Sequence, residues 1–172
     1  MAESVLNGKR LLGVDDEPDV LEVLTDELEK YGVKLDRALS YEAASQMLAS
    51  FTSDLVILDI MGVRGFELLA YASSRGFPVV MLTAHALSPE ALKKSIELGA
   101  RAYVPKEEID NIAPFLEDVL ELSYESAWAK ALTKLAGVFG AHFGPDWRKS
   151  EKEFWDEFEK RLAIEHSTVI ES

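Results

Sequence analysis

Residues 54–60 of the chain read DLVILDI, which is the most strand-like stretch of the sequence. Its centre is an uninterrupted apolar run, LVIL, made only of leucine, valine and isoleucine. A run of this kind predicts a short strand that is covered on both faces of its sheet. Asp59 follows the run directly, so its carboxylate is expected to lie at the edge of the sheet where this strand ends.

Four other segments read as strands, and amphipathic segments with helical spacing separate them. The strand segments are 10–14 (RLLGV), 33–38 (VKLDRA), 78–84 (PVVMLTA) and 102–106 (AYVPK). Helices are predicted close to residues 18–31, 40–51, 66–74 and 88–98, with serine caps at Ser40 and Ser88. Strands and helices that alternate in this way predict an α/β fold, in which a parallel sheet of five strands carries helices on both faces.

The composition of the 172 residues narrows the classes of function. A formal net charge of -13 disfavours nucleic acid and anionic membranes as partners, because binding to phosphates needs clustered lysine and arginine. The absence of cysteine excludes disulfides, thiolate metal ligands and a cysteine nucleophile. No apolar stretch is long enough to cross a membrane and no signal-peptide core is present, so we expect a cytoplasmic protein.

Polar residues end four of the five predicted strands. Asp15 and Asp16 follow the first strand, Asp59 the third, Thr83 the fourth and Lys106 the fifth. In open parallel sheets, ligands bind beyond the carboxyl ends of the strands. All of these side chains are therefore predicted to share one rim of the sheet.

The residues on this rim suit phosphoryl chemistry. Neighbouring carboxylates repel each other unless a cation neutralises them, and a ligand set made only of oxygen selects a hard cation such as Mg²⁺ or Mn²⁺. The hydroxyl of Thr83 and the ammonium of Lys106 would bind the oxygens of a transferring phosphoryl group. Asp59 is then the candidate nucleophile, and it would form an acyl phosphate.

Together these residues resemble the receiver domain of two-component response regulators. The resemblance rests on VDDEP (14–18), LVILDIMGVRG (55–65), TA (83–84) and YVPK (103–106), and it spans residues 9–120. It implies a flavodoxin-like sheet in the strand order 2-1-3-4-5. It also implies that a sensor histidine kinase or a histidine phosphotransfer protein delivers a phosphoryl group to Asp59 in a Mg²⁺-dependent reaction. No enzyme activity is expected beyond this self-phosphotransfer and autodephosphorylation.

The resemblance implies a role for each site residue. The metal ligands would be Asp15, Asp16, Asp59 and the backbone carbonyl of Met61. The phosphoryl oxygens would be bound by Thr83, Lys106 and the backbone N–H of Ala84. Tyr103 matches the aromatic switch residue that moves inward after phosphorylation, which changes the surface around the fourth helix, fifth strand and fifth helix. His85, two residues after Thr83, is a candidate modulator of the phosphoryl group.

Several residues also have an ordinary structural interpretation. Asp15 and Asp16 could be the acidic start of a helix, favoured by the helix dipole. Tyr103 could be a core residue, and His85 a partly exposed loop residue. The two remaining histidines, His142 and His166, are interpreted as structural or surface residues.

Alternative functions remain open at this point. The chain could be an intermediate carrier in a phosphorelay, or a degenerate receiver that acts only as a constitutive binding module. A Mg²⁺-dependent phosphohydrolase on a similar sheet is disfavoured, because that class usually carries a second acid where Met61 stands here.

The C-terminal part of the sequence is predicted to be helical and to lie outside the receiver domain. The expected division is a receiver at 1–120 and a helical extension at 121–172. A fifth helix that begins near Ile109 would run on without a break, turn near 140–146, and be followed by a final helix to about residue 164. Its aromatic stripe would either fold back on the receiver or form a homodimer; the dimer is preferred, with an unknown protein as output partner.

Overall fold

The computed structural model describes residues 3–84 and 88–171, with side chains as far as Ala163. His85 lies outside the described residues, and so does the side chain of His166, so the expectations for these two residues stay predictions. Within the described part of the chain, no helix is both long enough and apolar enough to cross a bilayer.

Strands and helices alternate through the first two thirds of the chain, as the sequence predicts. The strands are β1 (Arg10–Val14), β2 (Lys34–Ala38), β3 (Leu55–Leu58), β4 (Val79–Thr83) and β5 (Ala102–Pro105). The helices between them are α1 (Pro18–Glu29), α2 (Tyr41–Ser50), α3 (Gly65–Ser74) and α4 (Pro89–Glu97). The predicted serine caps are confirmed, because Ser40 and Ser88 each accept a hydrogen bond from the backbone N–H three residues on.

The five strands form one parallel sheet in the order β2-β1-β3-β4-β5. Both the fold class and the strand order predicted from the sequence are therefore confirmed. Val14 pairs with Leu58 across β1 and β3, and Thr83 pairs with Pro105 across β4 and β5. This register aligns the carboxyl ends of the strands along one rim. The central strands β3 and β4 are buried on both faces, as their unbroken apolar sequences require.

The fifth helix does not run on as predicted. A 3₁₀ helix (Lys106–Asn111) precedes α5 (Ile112–Glu121), and α5 ends well before residue 139. Leu122 has an extended backbone, and the hydroxyl of Ser123 accepts a hydrogen bond from the N–H of Ser126, which begins a separate helix, α6 (Tyr124–Phe143). The continuous apolar pattern concealed this break, since both helices bury a face.

The chain then turns and runs back along α6. Gly144 ends α6, a second 3₁₀ helix spans Trp147–Glu151, and α7 runs from Lys152 to Glu171, past the predicted end near residue 164. We refer to residues 124–171 as the hairpin.

The hairpin folds back on its own receiver part, so the predicted reason for a dimer does not hold. Trp128 Nε1 donates a hydrogen bond to the carbonyl of Ala100, between α4 and β5, at 2.9 Å. Phe139 and Trp155, which were expected to need a second chain to cover them, are 1% and 2% exposed within this one. The aromatic stripe is therefore buried in the same core as the sheet, as the alternative of a folded-back tail predicted.

Candidate functional site

Two buried carboxylates stand at the centre of the rim. Asp15 and Asp59 are the residues that follow β1 and β3, and each side chain belongs to a residue that is only 2% exposed. The N–H of Asp59 donates to the carbonyl of Val14 at 3.0 Å, and the N–H of Asp15 donates to the carbonyl of Ala38 at 3.1 Å. The sheet ladder thus continues one residue past each strand and holds both carboxylates on the rim.

Lys106 connects these two carboxylates. Its Nζ lies 2.8 Å from Asp15 Oδ2 and 3.4 Å from Asp59 Oδ2. The lysine begins the segment after β5, and its side chain reaches the residues that follow β1 and β3. The lysine side chain is itself only 12% exposed, so the three charges interact in a poorly solvated place.

Burial and the neighbouring charges together shift the pKa values of Asp59 and Lys106. Desolvation raises the pKa of Asp59, and repulsion from Asp15 adds to this effect, while Lys106 and the N–H of Ile60, 2.9 Å from Oδ1, oppose it. Burial lowers the pKa of Lys106, but its hydrogen bond and attraction to the two aspartates outweigh burial, so that the pKa is raised. Lys106 therefore stays charged, and Asp59 is a weakly solvated carboxylate that faces an ammonium group.

Acidic oxygens suited to a divalent cation lie beside this pair. The carboxylates of Asp15, Asp16 and Glu17 each offer an oxygen, and these oxygens lie within 4.8 Å of one another. A set of oxygen donors with excess negative charge fits a hard cation such as Mg²⁺. Glu17 was missed by the sequence analysis, although it stands in the same VDDEP motif. Its carboxylate lies 4.0 Å from Lys106 Nζ.

Asp16 lies against the loop that follows β3. A side chain added at Gly62, whose φ is +84°, would collide with the carboxylate of Asp16. Gly62 thus allows this carboxylate to approach the segment that contains Asp59 and Met61. The side chain of Met61 is exposed, and the predicted role of its carbonyl as a metal ligand stays a prediction.

The same loop needs glycine at a second position. A Cβ on Gly65 would overlap the backbone carbonyl of Asp59, so the start of α3 packs directly on the residue that carries the candidate nucleophile. Arg64, immediately before it, has a left-handed backbone with φ of +55°. The turn therefore holds the start of α3 against the backbone of Asp59.

Thr83 supplies a hydroxyl at the end of β4. The residue is fully buried, and its Oγ1 makes no well-formed hydrogen bond to a residue that the structure describes, although it lies close enough to Asp59 to lower the pKa of that carboxyl. A buried hydroxyl in this position can donate to the acceptor oxygens of a ligand that forms beside Asp59. Ala84 follows directly and is exposed, and its predicted use of the backbone N–H stays a prediction.

Tyr103, the predicted switch residue, lies inside the protein. It is fully buried in β5, and its hydroxyl accepts a hydrogen bond from the N–H of Ser88 at 3.4 Å. Burial raises the pKa of this phenol far above its usual range, so the hydroxyl stays protonated. The structure places Tyr103 in the core, as the alternative interpretation predicts, and its motion stays a prediction.

The comparisons with known proteins agree with this arrangement. A family model described as the response regulator receiver domain matches residues 11–114, which is more than half of the chain. The chain belongs to this family. The match ends within α5, so the hairpin lies beyond the part that defines the receiver.

Curated relatives of this receiver include transcriptional regulators. The phosphate regulon transcriptional regulatory protein PhoB of Klebsiella pneumoniae is 30% identical over 128 residues, which cover 68% of this chain and 56% of PhoB. The two-component response regulator ARR18 of Arabidopsis thaliana is 33% identical over 113 residues, which cover 61% of this chain and 18% of ARR18. The chain thus spans about half the length of PhoB.

Solved structures of receivers share the fold. A CheY-like response regulator receiver domain protein from Methanospirillum hungatei JF-1 has a TM-score of 0.61 at 27% identity, and the match covers 66% of this chain and 94% of that one. The response regulator TrrA from Thermotoga maritima, solved in complex with Mg(2+)-BeF, has a TM-score of 0.58 at 33% identity, with 65% and 99% of the two chains covered.

Proposed function

We propose that this receiver accepts a phosphoryl group on Asp59 from a sensor histidine kinase or a histidine phosphotransfer protein. The observation that carries the proposal is the contact of Lys106 Nζ with the buried carboxylates of Asp15 and Asp59. Acidic oxygens and the buried hydroxyl of Thr83 lie beside this contact. A trigonal, strongly anionic group that forms beside Asp59 would meet a positive charge and a hydroxyl donor at once.

The transfer step follows from this arrangement. A carboxylate oxygen of Asp59 attacks the phosphorus of the donor phosphohistidine, and the new O–P bond forms as the P–N bond breaks. The imidazole nitrogen keeps the electron pair of the broken bond and later takes a proton from water. Lys106 and the hydroxyl of Thr83 bind the phosphoryl oxygens, and the backbone N–H of Ala84 donates to the same group.

A divalent cation belongs to this proposal. Asp16, Asp59 and the carbonyl of Met61 would hold Mg²⁺ or Mn²⁺, with Asp15 and Glu17 beside them. The ion would neutralise the charge that builds up between the nucleophile and the phosphoryl oxygens. Support comes from the all-oxygen set on the rim and from the close approach of Asp16 to Gly62. TrrA, a similar receiver, was solved with Mg(2+)-BeF.

The output is proposed to be a contact with another protein. Residues 1–120 would act as the receiver and residues 121–172 as its helical extension. The extension is acidic and is not a basic DNA-reading helix, so a nucleic-acid output is not proposed, although PhoB is named a transcriptional regulator. This role places the protein in the cytoplasm, beside the kinase domains that would supply the phosphoryl group.

Incubation with phosphoramidate and Mg²⁺, followed by intact-mass measurement, tests the function. The wild type is expected to gain the mass of one phosphoryl group, and chelation of the metal is expected to prevent the gain. The matched control is Asp54→Asn, which changes an aspartate at the other end of β3, where it accepts a hydrogen bond from the N–H of Arg10. Asp54→Asn should be modified like the wild type, whereas Asp59→Asn should not. A wild type that gains no mass would instead support a degenerate receiver.

A further inference from the structure

The outer face of α6 is made of small residues. One side of this helix is buried in the shared core, and the opposite side carries nothing larger than threonine along about four turns. Thr133 and Gly137, in the middle of this stripe, are exposed. The stripe consists of five residues at helical spacing: Ser126, Ala129, Thr133, Gly137 and Gly140.

The two glycines of the stripe are not explained by the packing of the chain on itself. A Cβ added at Gly137 or Gly140 would meet nothing within 4 Å among the residues that the structure describes. Neither glycine has the left-handed backbone that only glycine adopts readily. Glycine is also among the least favourable residues inside a helix. Bare Cα atoms that face open space in a helix therefore suit the close approach of another backbone.

This stripe forms the floor of a groove between α6 and its neighbours. A cavity of about 680 Å³ lies above it, with Leu122 at the end of α5 on one side and Leu162 of α7 on the other. A second cavity of about 390 Å³ shares Ala129, Thr133 and Leu162 with the first and continues along α6. We refer to the two together as the α6 groove. A long groove of this kind, with mainly apolar lining, is the shape that receives an amphipathic helix.

Positive charge lines the α5 side of the groove. After Glu125, the only acidic or basic residues of α6 other than histidine are Lys130 and Lys134. Both approach Asp118 of α5, Lys134 at 2.8 Å and Lys130 at 3.8 Å. One aspartate cannot neutralise two lysines, and the side chain of Lys130 is 59% exposed. The rim of the groove thus keeps a positive charge on a chain whose formal net charge is -13.

These charges decide between two occupants of the groove. On the α7 side, Arg148 pairs with Glu159 and adds no net charge. A second copy packed antiparallel on the same stripe would bring Lys130 and Lys134 of both chains to one side of the contact, where they would repel each other. A helix with carboxylates beside a stripe of small apolar residues would meet the lysines with opposite charge. The occupant that fits is therefore acidic.

We propose that the α6 groove binds an acidic amphipathic helix of a partner protein. The small stripe of that helix lies over Gly137 and Gly140, and its carboxylates lie beside Lys130 and Lys134. The inference gives a surface and a partner chemistry to the protein output proposed above. It requires no phosphoryl group, because the unmodified chain already presents the groove.

Display selection of helical peptides on the unmodified wild type tests the chemistry of the partner. The library would present helices of about five turns with randomised surface positions. A peptide attracted only by the net charge of this chain would be basic. We expect acidic peptides to be enriched instead. Enrichment of basic peptides, or of none, would overturn the proposal.

Substitutions in the groove test where the enriched peptide binds, with fluorescence anisotropy of the labelled peptide as the measurement. Gly137→Gln should weaken binding by about tenfold or more, because its side chain fills the space of the approaching backbone. Folding is not at risk, since glutamine is the better helix former. The double variant Lys130→Glu, Lys134→Glu should lose a similar factor. Lys160→Glu is the matched control, an exposed lysine of α7 that does not line the groove, and it should bind like the wild type. Unchanged affinity in Gly137→Gln would contradict the proposal.

Two further measurements separate this inference from its alternatives. Light scattering gives the oligomeric state without peptide, and a wild-type dimer that Gly137→Gln dissociates would assign the groove to a second copy and overturn the proposal. Phosphoryl uptake from phosphoramidate should be the same in the wild type and in all three variants, because none of the changed residues lies on the rim. Normal uptake without peptide binding would overturn this inference alone. Peptide binding without uptake would leave it standing and overturn the proposed function.

Discussion

At the scale of single residues, Lys106 offsets part of the repulsion between the two buried aspartates on the rim. Asp15 and Asp59 would repel each other in a place with little water, and the ammonium group lies within ion-pair distance of both. The compensation is incomplete, since burial and Asp15 still raise the pKa of Asp59. A buried carboxylate whose pKa is raised in this way reduces the stability of the fold at neutral pH.

Asp59→Asn is therefore expected to stabilise the metal-free protein at neutral pH. The pKa of Asp59 is higher in the folded than in the unfolded state, so the wild type loses stability as the pH rises through the ordinary aspartate range toward the folded pKa. The uncharged variant does not suffer this loss. Urea unfolding with chelator should show a gain of about 1 kcal/mol at neutral pH. The gain should disappear near about pH 4, where the unfolded aspartate itself takes up a proton. A variant that is less stable than the wild type at neutral pH would contradict the assigned cause.

Asp16→Asn is expected to weaken Mg²⁺ binding by about tenfold or more, because it removes a charged oxygen from the acidic cluster. The rise in melting temperature on addition of Mg²⁺ measures the binding, since a ligand that binds only the folded state stabilises it. The control is Asp19→Asn, an acid in the first turn of α1 outside the cluster. If both variants respond to Mg²⁺ like the wild type, the ion does not bind at Asp16.

At the scale of elements, the turn between β3 and α3 sets the position of Asp59, the candidate nucleophile. The left-handed backbone of Arg64 and the bare Cα of Gly65 let α3 begin against the carbonyl of Asp59. A larger residue at position 65 would have to push backbone against backbone, which is much harder than the displacement of a flexible side chain.

Gly65→Ala should destabilise the protein by more than about 2 kcal/mol and reduce phosphoryl uptake in the fraction that remains folded. Gly137→Ala is the matched control, because a Cβ there meets nothing within 4 Å and the residue lies in the middle of α6. That control should be more stable by up to about 1 kcal/mol, since alanine is the better helix former. Denaturant unfolding of the two variants measures both changes in the free energy of unfolding. If Gly65→Ala is as stable as the wild type, the loop can move away from the added side chain.

Much of the fold could be read from local sequence patterns. The central strands β3 and β4 are marked by apolar runs, and the residues at the ends of these runs identify the rim, since parallel strands end on the same side. Ser40 and Ser88 predict helix starts because their hydroxyls replace a missing backbone partner.

The parts that sequence reasoning missed depend on contacts between distant segments. Apolar residues recur at helical spacing on both sides of Leu122 and Ser123, so the pattern does not separate one long helix from two shorter ones. The packing of Phe139 on Tyr103 joins residues far apart in the chain, and a periodic pattern shows only that both are buried. Glu17 was passed over because it looks like an ordinary acidic residue at a helix start.

At the scale of the whole molecule, the hairpin and the receiver share one core. Trp128 joins them most directly, with a fully buried ring and a hydrogen bond to the carbonyl of Ala100. A loss of this bond leaves a buried carbonyl without its donor, which costs more than the bond itself contributes.

Trp128→Phe is thus expected to lower the free energy of unfolding by about 1–3 kcal/mol and to keep a single cooperative transition. Trp147→Phe serves as the control at the turn of the hairpin, where the ring is only half-buried, and its effect should be smaller. Chemical denaturation followed by circular dichroism gives both values. Two separate transitions in the wild type would contradict a shared core.

The central claim is that Asp59 carries the phosphoryl group, and mapping of the modified residue tests it most directly. The wild type would be treated with phosphoramidate and Mg²⁺, the acyl phosphate reduced with borohydride, and the digest sequenced by tandem mass spectrometry. We predict that the reduced residue is found at position 59 alone. Modification at another carboxylate with Asp59 intact, or phosphate bound to a histidine such as His142, would contradict the account.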